Sequence, residues 1–215
     1  AELLDRLSLK SVEDKEGIPD FIKEFDSTTT ALLLETMGSD YDVVEKNIVE
    51  IKRILADFPT VRPVEFTSDP KENQQLWNIR KQVFPAVGGM RKIGTTCLIE
   101  DVAYHMETLP DATRELQEIM ARFGYDDAVI YGHAFEGNFH FIFNQDFSDP
   151  KEVERYDTMM KAVIDMTVDK YDGSLKAEHG TGRNMAPFVK REWGEKGYNL
   201  MCEVKNLFDP NNILN

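Results

Sequence analysis

Apolar positions along this chain recur at two spacings, and the spacing switches several times. Residues 31–37, Ala-Leu-Leu-Leu-Glu-Thr-Met, form a short apolar run that predicts a buried strand. Val44, Ile48, Ile51, Leu55 and Phe58 then fall three or four residues apart and predict an amphipathic helix. Residues 61–68 read as a short strand near an edge, because Pro63 removes a ladder donor. Asp69 as cap and Pro70 as first residue open a helix over 70–87. Residues 95–105 predict a strand. Residues 109–124 predict a helix with Ala112, Leu116, Ile119, Met120 and Phe123 inward and Gly124 as its stop. A hairpin follows over 126–146. Asp149, Pro150 and Glu152 begin the longest helix, which runs to Gly173. Residues 174–180 read as a short extended piece, and 184–208 as mostly helical.

Strands separated by single helices, with one hairpin, predict an α+β fold: an antiparallel sheet with helices packed on one face and a C-terminal helical segment. Strand-helix-strand occurs near 31–68 and again near 95–145, the pattern of a ferredoxin-like double unit. The chain has 215 residues and 41% apolar content, enough for a sizeable core. Its net charge of -14 argues against nonspecific binding to nucleic acid or to an anionic membrane. Cys97 and Cys202 lack metal or redox spacing and read as reduced thiols of a cytoplasmic protein. No apolar run approaches the roughly 20 residues of a membrane span, and no signal peptide precedes the first strand. The chain starts at Ala1 without an initiator Met, so a longer parent protein is expected.

The chemistry concentrates in two glycine-bounded segments. Gly-His-Ala-Phe-Glu-Gly-Asn-Phe-His, at 132–140, carries two of the chain's four histidines. With Glu136-Gly137 as a two-residue hairpin tip, His133 faces His140 across the strands. Their Cβ atoms would then lie about 5 Å apart on one face. Two imidazoles so placed can share a divalent ion, and an ordinary surface hairpin remains the alternative. Glu178-His179 strengthens the metal reading, because a carboxylate completes a His-His-Glu set with an open coordination position. His105 is left over and reads as solvated.

Together with Glu-His-Gly-Thr-Gly at 178–182 and the ending Leu-Phe-Asp-Pro-Asn-Asn-Ile-Leu-Asn, this stretch resembles the C-terminal, substrate-side domain of FAD-linked oxidases. These are the vanillyl-alcohol-oxidase superfamily dehydrogenases of D-lactate, D-2-hydroxyglutarate and glycolate. The likeness extends over nearly the whole chain, and its nearest type fuses the flavin enzyme to an iron-sulfur module. The family's first motif usually reads Gly-His-x-Gly-Asp-Gly-Asn-x-His; here Phe135 replaces a Gly and Glu136 the Asp. The resemblance implies His133, His140 and Glu178 as ligands of Zn, Mn or Fe, and His179 as the acid/base. It also implies Asn138 at the substrate and Asn215 on the cofactor side. FAD itself would sit on a flavin domain of the same parent chain, since no Gly-rich dinucleotide loop is found here.

The expected reaction is oxidation of a D-2-hydroxy acid to the 2-oxo acid, inside a parent protein that is cytoplasmic or peripheral at the inner membrane. Arginine suits the substrate carboxylate; Arg80 is the first candidate and Arg91-Lys92 the second. Where the D-2-hydroxyglutarate branch has a substrate lysine, this chain reads Leu98-Ile99-Glu100. The chain alone is expected to lack turnover and to self-associate through the face that would meet the flavin domain. Two other classes stay open: a metal-dependent hydrolase on the same ligands, and a noncatalytic ferredoxin-like binding or oligomerisation module.

Overall fold

A computed structural model describes residues 1–214. The fold is α+β, built on one five-stranded antiparallel sheet of order β2-β1-β4-β5-β3. The strands are β1 (Glu2–Leu4), β2 (Ala31–Leu33), β3 (Thr96–Ala103), β4 (Val129–His133) and β5 (Asn138–Gln145). The helices are α1 (Arg6–Val12), α2 (Tyr41–Leu55), α3 (Pro70–Met90), α4 (Leu109–Arg122), α5 (Pro150–Ile164), α6 (Gly182–Met185) and α7 (Val189–Phe208). Among the described residues no helix is long and apolar enough to cross a membrane. The chain divides into two compact units, and β3 and β5 contribute residues to both.

The first unit comprises residues 1–98, 127–134 and 141–144. β1 pairs antiparallel with β2 (Leu3 opposite Leu32) and with β4 (Leu3 opposite Gly132). Asp5 ends β1 and caps α1. Its carboxylate accepts from Ser8 N at 2.7 Å and from Ile130 N at 3.0 Å, so one side chain satisfies a helix terminus and a strand. α1 packs on α3, burying Leu9 and Val12 with Ile79, Val83, Ala86 and Val87. The predicted cap of α3 forms: Asp69 accepts from Lys71 N and Glu72 N, with Pro70 in the first turn. The apolar stripe of α2 is present but only half-buried.

In the second unit (99–126, 135–140 and 145–214), α4 and α5 pack together. α4 buries Leu109, Ala112, Leu116, Ile119 and Met120 and ends before Gly124, whose φ is +73°. α5, capped by Asp149 on Lys151 N, buries Met159, Met160, Val163 and Ile164. It then widens into a π-helical turn over Asp165–Lys170, where Thr167 is buried and its hydroxyl lies 2.9 Å from the Tyr104 hydroxyl. A π turn keeps the helix going while re-aiming one side chain. The C-terminal segment is helical as expected, and Asp209 folds its end. Its carboxylate accepts from Ile213 N and Leu214 N at 2.8 Å each, which gives the Asp-Pro-Asn-Asn ending a structural job.

Four sequence expectations change. Residues 61–68 form no strand: prolines at 59 and 63 remove donors, and Val61 is 69% exposed with no apolar surface to cover it. The strand at 31–37 shrinks to its first three residues. Glu2–Leu4, not read as a strand, pairs with them in place of 61–68. The hairpin tip is not the two residues Glu136-Gly137. A 3-10 turn over Ala134–Glu136 joins β4 to Gly137, whose φ is +61°. Phe135 lies within that right-handed turn, so a non-glycine residue there carries no left-handed strain.

A Cβ on Gly137 would meet the Tyr104 carbonyl oxygen at 2.2 Å. Gly137→Ala should therefore destabilise the protein by more than about 1 kcal/mol, read as a lower denaturant midpoint. Asp209 is held below the usual carboxylate range, first by the Lys205 ammonium and then by the Ile213 and Leu214 amides. A depressed folded value means that the turn's stability is fully present above the unfolded pKa of about 3.9 and is lost as pH falls through the folded value. Amide protection at Ile213 and Leu214 should be flat from pH 7 to 5 and collapse only in acid. Protection that changes little below pH 3 would contradict this.

Candidate metal and substrate site

Two acidic residues side by side on β3 organise the second unit's polar centre. Successive strand residues point to opposite faces, and both Glu100 and Asp101 are fully buried. Glu100 accepts from Lys176 Nζ and from Asn184 Nδ2, each at 2.6 Å. Asp101 Oδ2 accepts from the backbone N–H groups of Glu178 and His179, each at 2.7 Å. Asp101 Oδ1 accepts from Asn138 Nδ2 and lies 3.5 Å from His140 Nδ1. Further along, Ala103 and Ser174 exchange backbone hydrogen bonds at 3.0 and 2.9 Å. The segment 174–184 has no regular ladder beyond that pair, so these side chains do the work a strand partner would do.

Immediately after His179 the chain turns at Gly180 and Gly182, with φ of +69° and +62°. Neighbours in a strand would point apart; here Glu178 and His179 converge. Glu178 Oε1 lies 3.2 Å from His140 Nε2 and 3.8 Å from His179 Nε2. The rings of His140 and His179 stack at 4.6 Å with 5° between their planes. His140 is buried, whereas Glu178 and His179 open to solvent. One buried imidazole, one exposed imidazole and an exposed carboxylate within a few ångströms suit a divalent cation of the zinc, manganese or iron kind. Burial pushes the Asp101 carboxyl up, but contacts with His140, the His179 and Glu178 amides and Asn138 outweigh it and hold it well below the usual range.

In the first unit His133 closes β4. Its Nδ1 lies 2.7 Å from Glu2 Oε1, and Glu2 is its register partner on β1. Glu2 Oε2 accepts from Arg80 Nε at 2.6 Å, and the Arg80 guanidinium lies 4.3 Å over the Tyr131 ring. Burial pushes the Tyr131 phenol up, with Arg80 opposing.

Both sequence-selected arrangements are thus held by carboxylates that sequence reasoning did not single out, Glu2 and Asp101. Glu2 sits at the very start of the chain and Asp101 in mid-strand; neither has a local motif. Arg80 has its Nε committed to Glu2, and Asn138 its amide nitrogen to Asp101 and Val102 O. Arg91 folds back on the end of α3, donating to Gly88 O and Thr95 O. His105 is exposed, and Cys97 and Cys202 are free thiols. Asn215 lies outside the described residues.

This α+β frame brings two stacked histidines and a glutamate together beside buried carboxylates. The family model "FAD linked oxidases, C-terminal domain" matches residues 1–215, and the chain belongs to that family. It is 26% identical over its full length to "Glycolate oxidase subunit GlcD" of Bacillus subtilis (strain 168), covering 43% of that protein. It is 25% identical over its full length to "D-lactate dehydrogenase [cytochrome], mitochondrial" of Arabidopsis thaliana, covering 36% of it. Over 66% of the chain it is 29% identical to "D-2-hydroxyglutarate dehydrogenase" of Stutzerimonas stutzeri (strain A1501), covering 30% of that protein. The chain therefore spans less than half the length of these relatives. A solved 4-ethylphenol oxidase from Gulosibacter chungangensis, in complex with isoeugenol, shares the fold. Its TM-score is 0.60 at 14% identity, over 99% of this chain and 46% of that one.

Lys176 Nζ is the cation facing the buried Glu100. Lys176→Met should cost about 3 kcal/mol of unfolding free energy, because it strands a buried carboxylate. A change within roughly 0.5 kcal/mol, the spread of surface substitutions, would show the pair to be dispensable.

Proposed function

We propose that this chain is the substrate- and metal-binding domain of a flavin-dependent dehydrogenase that oxidises a D-2-hydroxy acid to the 2-oxo acid. The observation that carries the reading is the convergence of His140, Glu178 and His179 in a chain of the FAD linked oxidase family. Relatives named as glycolate, D-lactate and D-2-hydroxyglutarate enzymes support the substrate class.

In this reading His133, His140 and Glu178 would hold a divalent ion. The ion, when bound, supplies Lewis-acid polarisation of the hydroxy-acid oxygens. His179 is solvent-facing and stacks on His140, so its ring is fixed while a nitrogen remains free to take the hydroxyl proton. The Cα–H bond would break with its electron pair, and accepting that hydride is the chemistry a flavin bound elsewhere in the parent protein would supply. The carbonyl forms from the O–H electron pair, so proton and hydride together account for the two-electron oxidation. Asn138 serves by orienting Asp101, and Arg80 by orienting Glu2; a substrate carboxylate would meet Arg80 only through its remaining nitrogens. Iron-sulfur centres, where the parent protein has them, would lie outside these residues.

The assignment makes the two loop neighbours separable. The metal-stripped chain should take up about one Zn²⁺ or Mn²⁺ per chain, with affinity falling in acid as protons compete for the ligands. His140→Ala should lose that uptake. His179→Ala should keep it, and in the flavin-containing parent protein should lose most turnover of D-lactate or D-2-hydroxyglutarate, on the order of 10²–10⁴-fold. Equal metal content and equal turnover in the two variants would sink the division of labour.

A further inference from the structure

We propose that the cleft between the end of α3 and the start of β3 binds a small planar carboxylate, with Arg91 as its anion contact. This goes beyond the metal reading and needs neither the ion nor the flavin. Every residue lining the cleft lies in the first unit.

The end of α3 holds residues that a helix does not favour. It runs to Met90, yet its last turns contain Pro85, Gly88 and Gly89. Glycine is a poor helix former and proline a worse one. The three stand at i, i+3 and i+4, so they share one face of the helix. The other side carries Val83, Ala86 and Val87, which are buried. The backbone does not require either glycine: both lie in the helix, and neither has a positive φ. Packing within the chain does not require them either. A Cβ on Gly89 would meet nothing within 4 Å, and one on Gly88 would meet Cys97 Sγ at 3.8 Å, an ordinary contact. Alanine would fit at both positions and favour the helix more. What the two glycines provide is room.

That room is a cleft of about 560 Å³, in the size range of small-molecule sites. Phe84 and Pro85 join the glycines on the α3 side, and Cys97 lines it from β3. Bare glycine backbone beside an aromatic ring and a proline ring suits the close approach of a flat apolar body. Charge fixes the other end of the ligand. Residues 73–99 include Arg80, Lys81, Arg91 and Lys92 and no acidic residue. Acids number 39 among the chain's 215 residues, so this stretch is a basic island in an acidic chain. Arg80 is committed to Glu2, and Arg91 is the cation in the cleft lining. Its Nη1 donates to Gly88 O and its Nε to Thr95 O. Among the described residues its Nη2 has no hydrogen-bond partner. Burial pushes the Cys97 thiol up, Arg91 opposes it, and Asp127 adds a smaller upward push. The guanidinium's field therefore reaches the sulfur on the β3 side. One available guanidinium nitrogen and no second lining cation match a single negative charge, a carboxylate rather than a phosphate.

The test uses this chain with 2-naphthoate as the probe. Cys97 and Cys202 are both half-buried free thiols and serve as reporter and internal control. Iodoacetamide labelling of each is read peptide by peptide, beside a ¹H–¹⁵N chemical-shift titration. Naphthoate should bind with a dissociation constant of about 1 mM or tighter and suppress labelling of Cys97 but not of Cys202. The neutral analogue 2-naphthylmethanol should bind about 10–100-fold more weakly, and Arg91→Met should remove that difference. Gly89→Leu should lose naphthoate binding while its thermal midpoint holds or rises, because leucine favours a helix over glycine. Absence of saturable naphthoate binding, equal protection of both cysteines, or equal binding of acid and alcohol overturns the proposal. A Gly89→Leu chain that binds naphthoate as tightly as the parent overturns it as well. A Gly89→Leu chain that melts earlier or fails to fold gives the glycine a packing role and overturns it too.

Discussion

The second unit's site depends on one buried carboxylate. Asp101 accepts the amide hydrogens of Glu178 and His179 on one oxygen and the amide of Asn138 on the other. Without it, two adjacent backbone donors would lose their acceptor beside the buried stretch Glu100, Asp101 and Val102. These bonds are part-buried and go to a carboxylate, each worth on the order of 1.5–3 kcal/mol at most, so without them the loop would find another path. That bond is also why two sequence neighbours share one pocket. Their amides point the same way, toward Asp101, and Gly180 and Gly182 let the chain leave.

Strand geometry multiplies the effect. Because alternate residues face opposite sides, Glu100 and Asp101 grip the same 174–184 segment from two directions. The backbone pair between Ala103 and Ser174 sets its start. Tyr104 continues the line: its N–H donates to Gly137 O, its carbonyl forbids a side chain at Gly137, and its hydroxyl meets Thr167 in the π turn. Five consecutive residues, 100 to 104, thus position both histidine-bearing segments of the second unit.

What could be read in the sequence was local. Asp69-Pro70 and Asp149-Pro150 start helices by capping within three residues, and α4 runs from its apolar stripe to Gly124 as expected. His133, His140, Glu178 and His179 stood out because small segments carried unusual chemistry. The errors were tertiary. Glu2–Leu4 is too short to announce itself as a strand and forms because β2 and β4 flank it. Residues 61–68 had a strand's composition without a partner. The hairpin tip took a 3-10 turn rather than two residues. Glu2 and Asp101 were invisible because their meaning lies in bonds spanning 131 and 78 positions, to His133 and His179.

The buried residues that hold the loop and the exposed ones around it answer to different constraints. Asp101, Asn138 and His140 are enclosed, whereas Phe135 is 70% exposed and Arg183 is also exposed. Substitution at the exposed positions leaves every bond of the enclosed set untouched. Exposed positions such as Phe135 and Arg183 are therefore free to vary while the buried residues that hold the loop stay fixed.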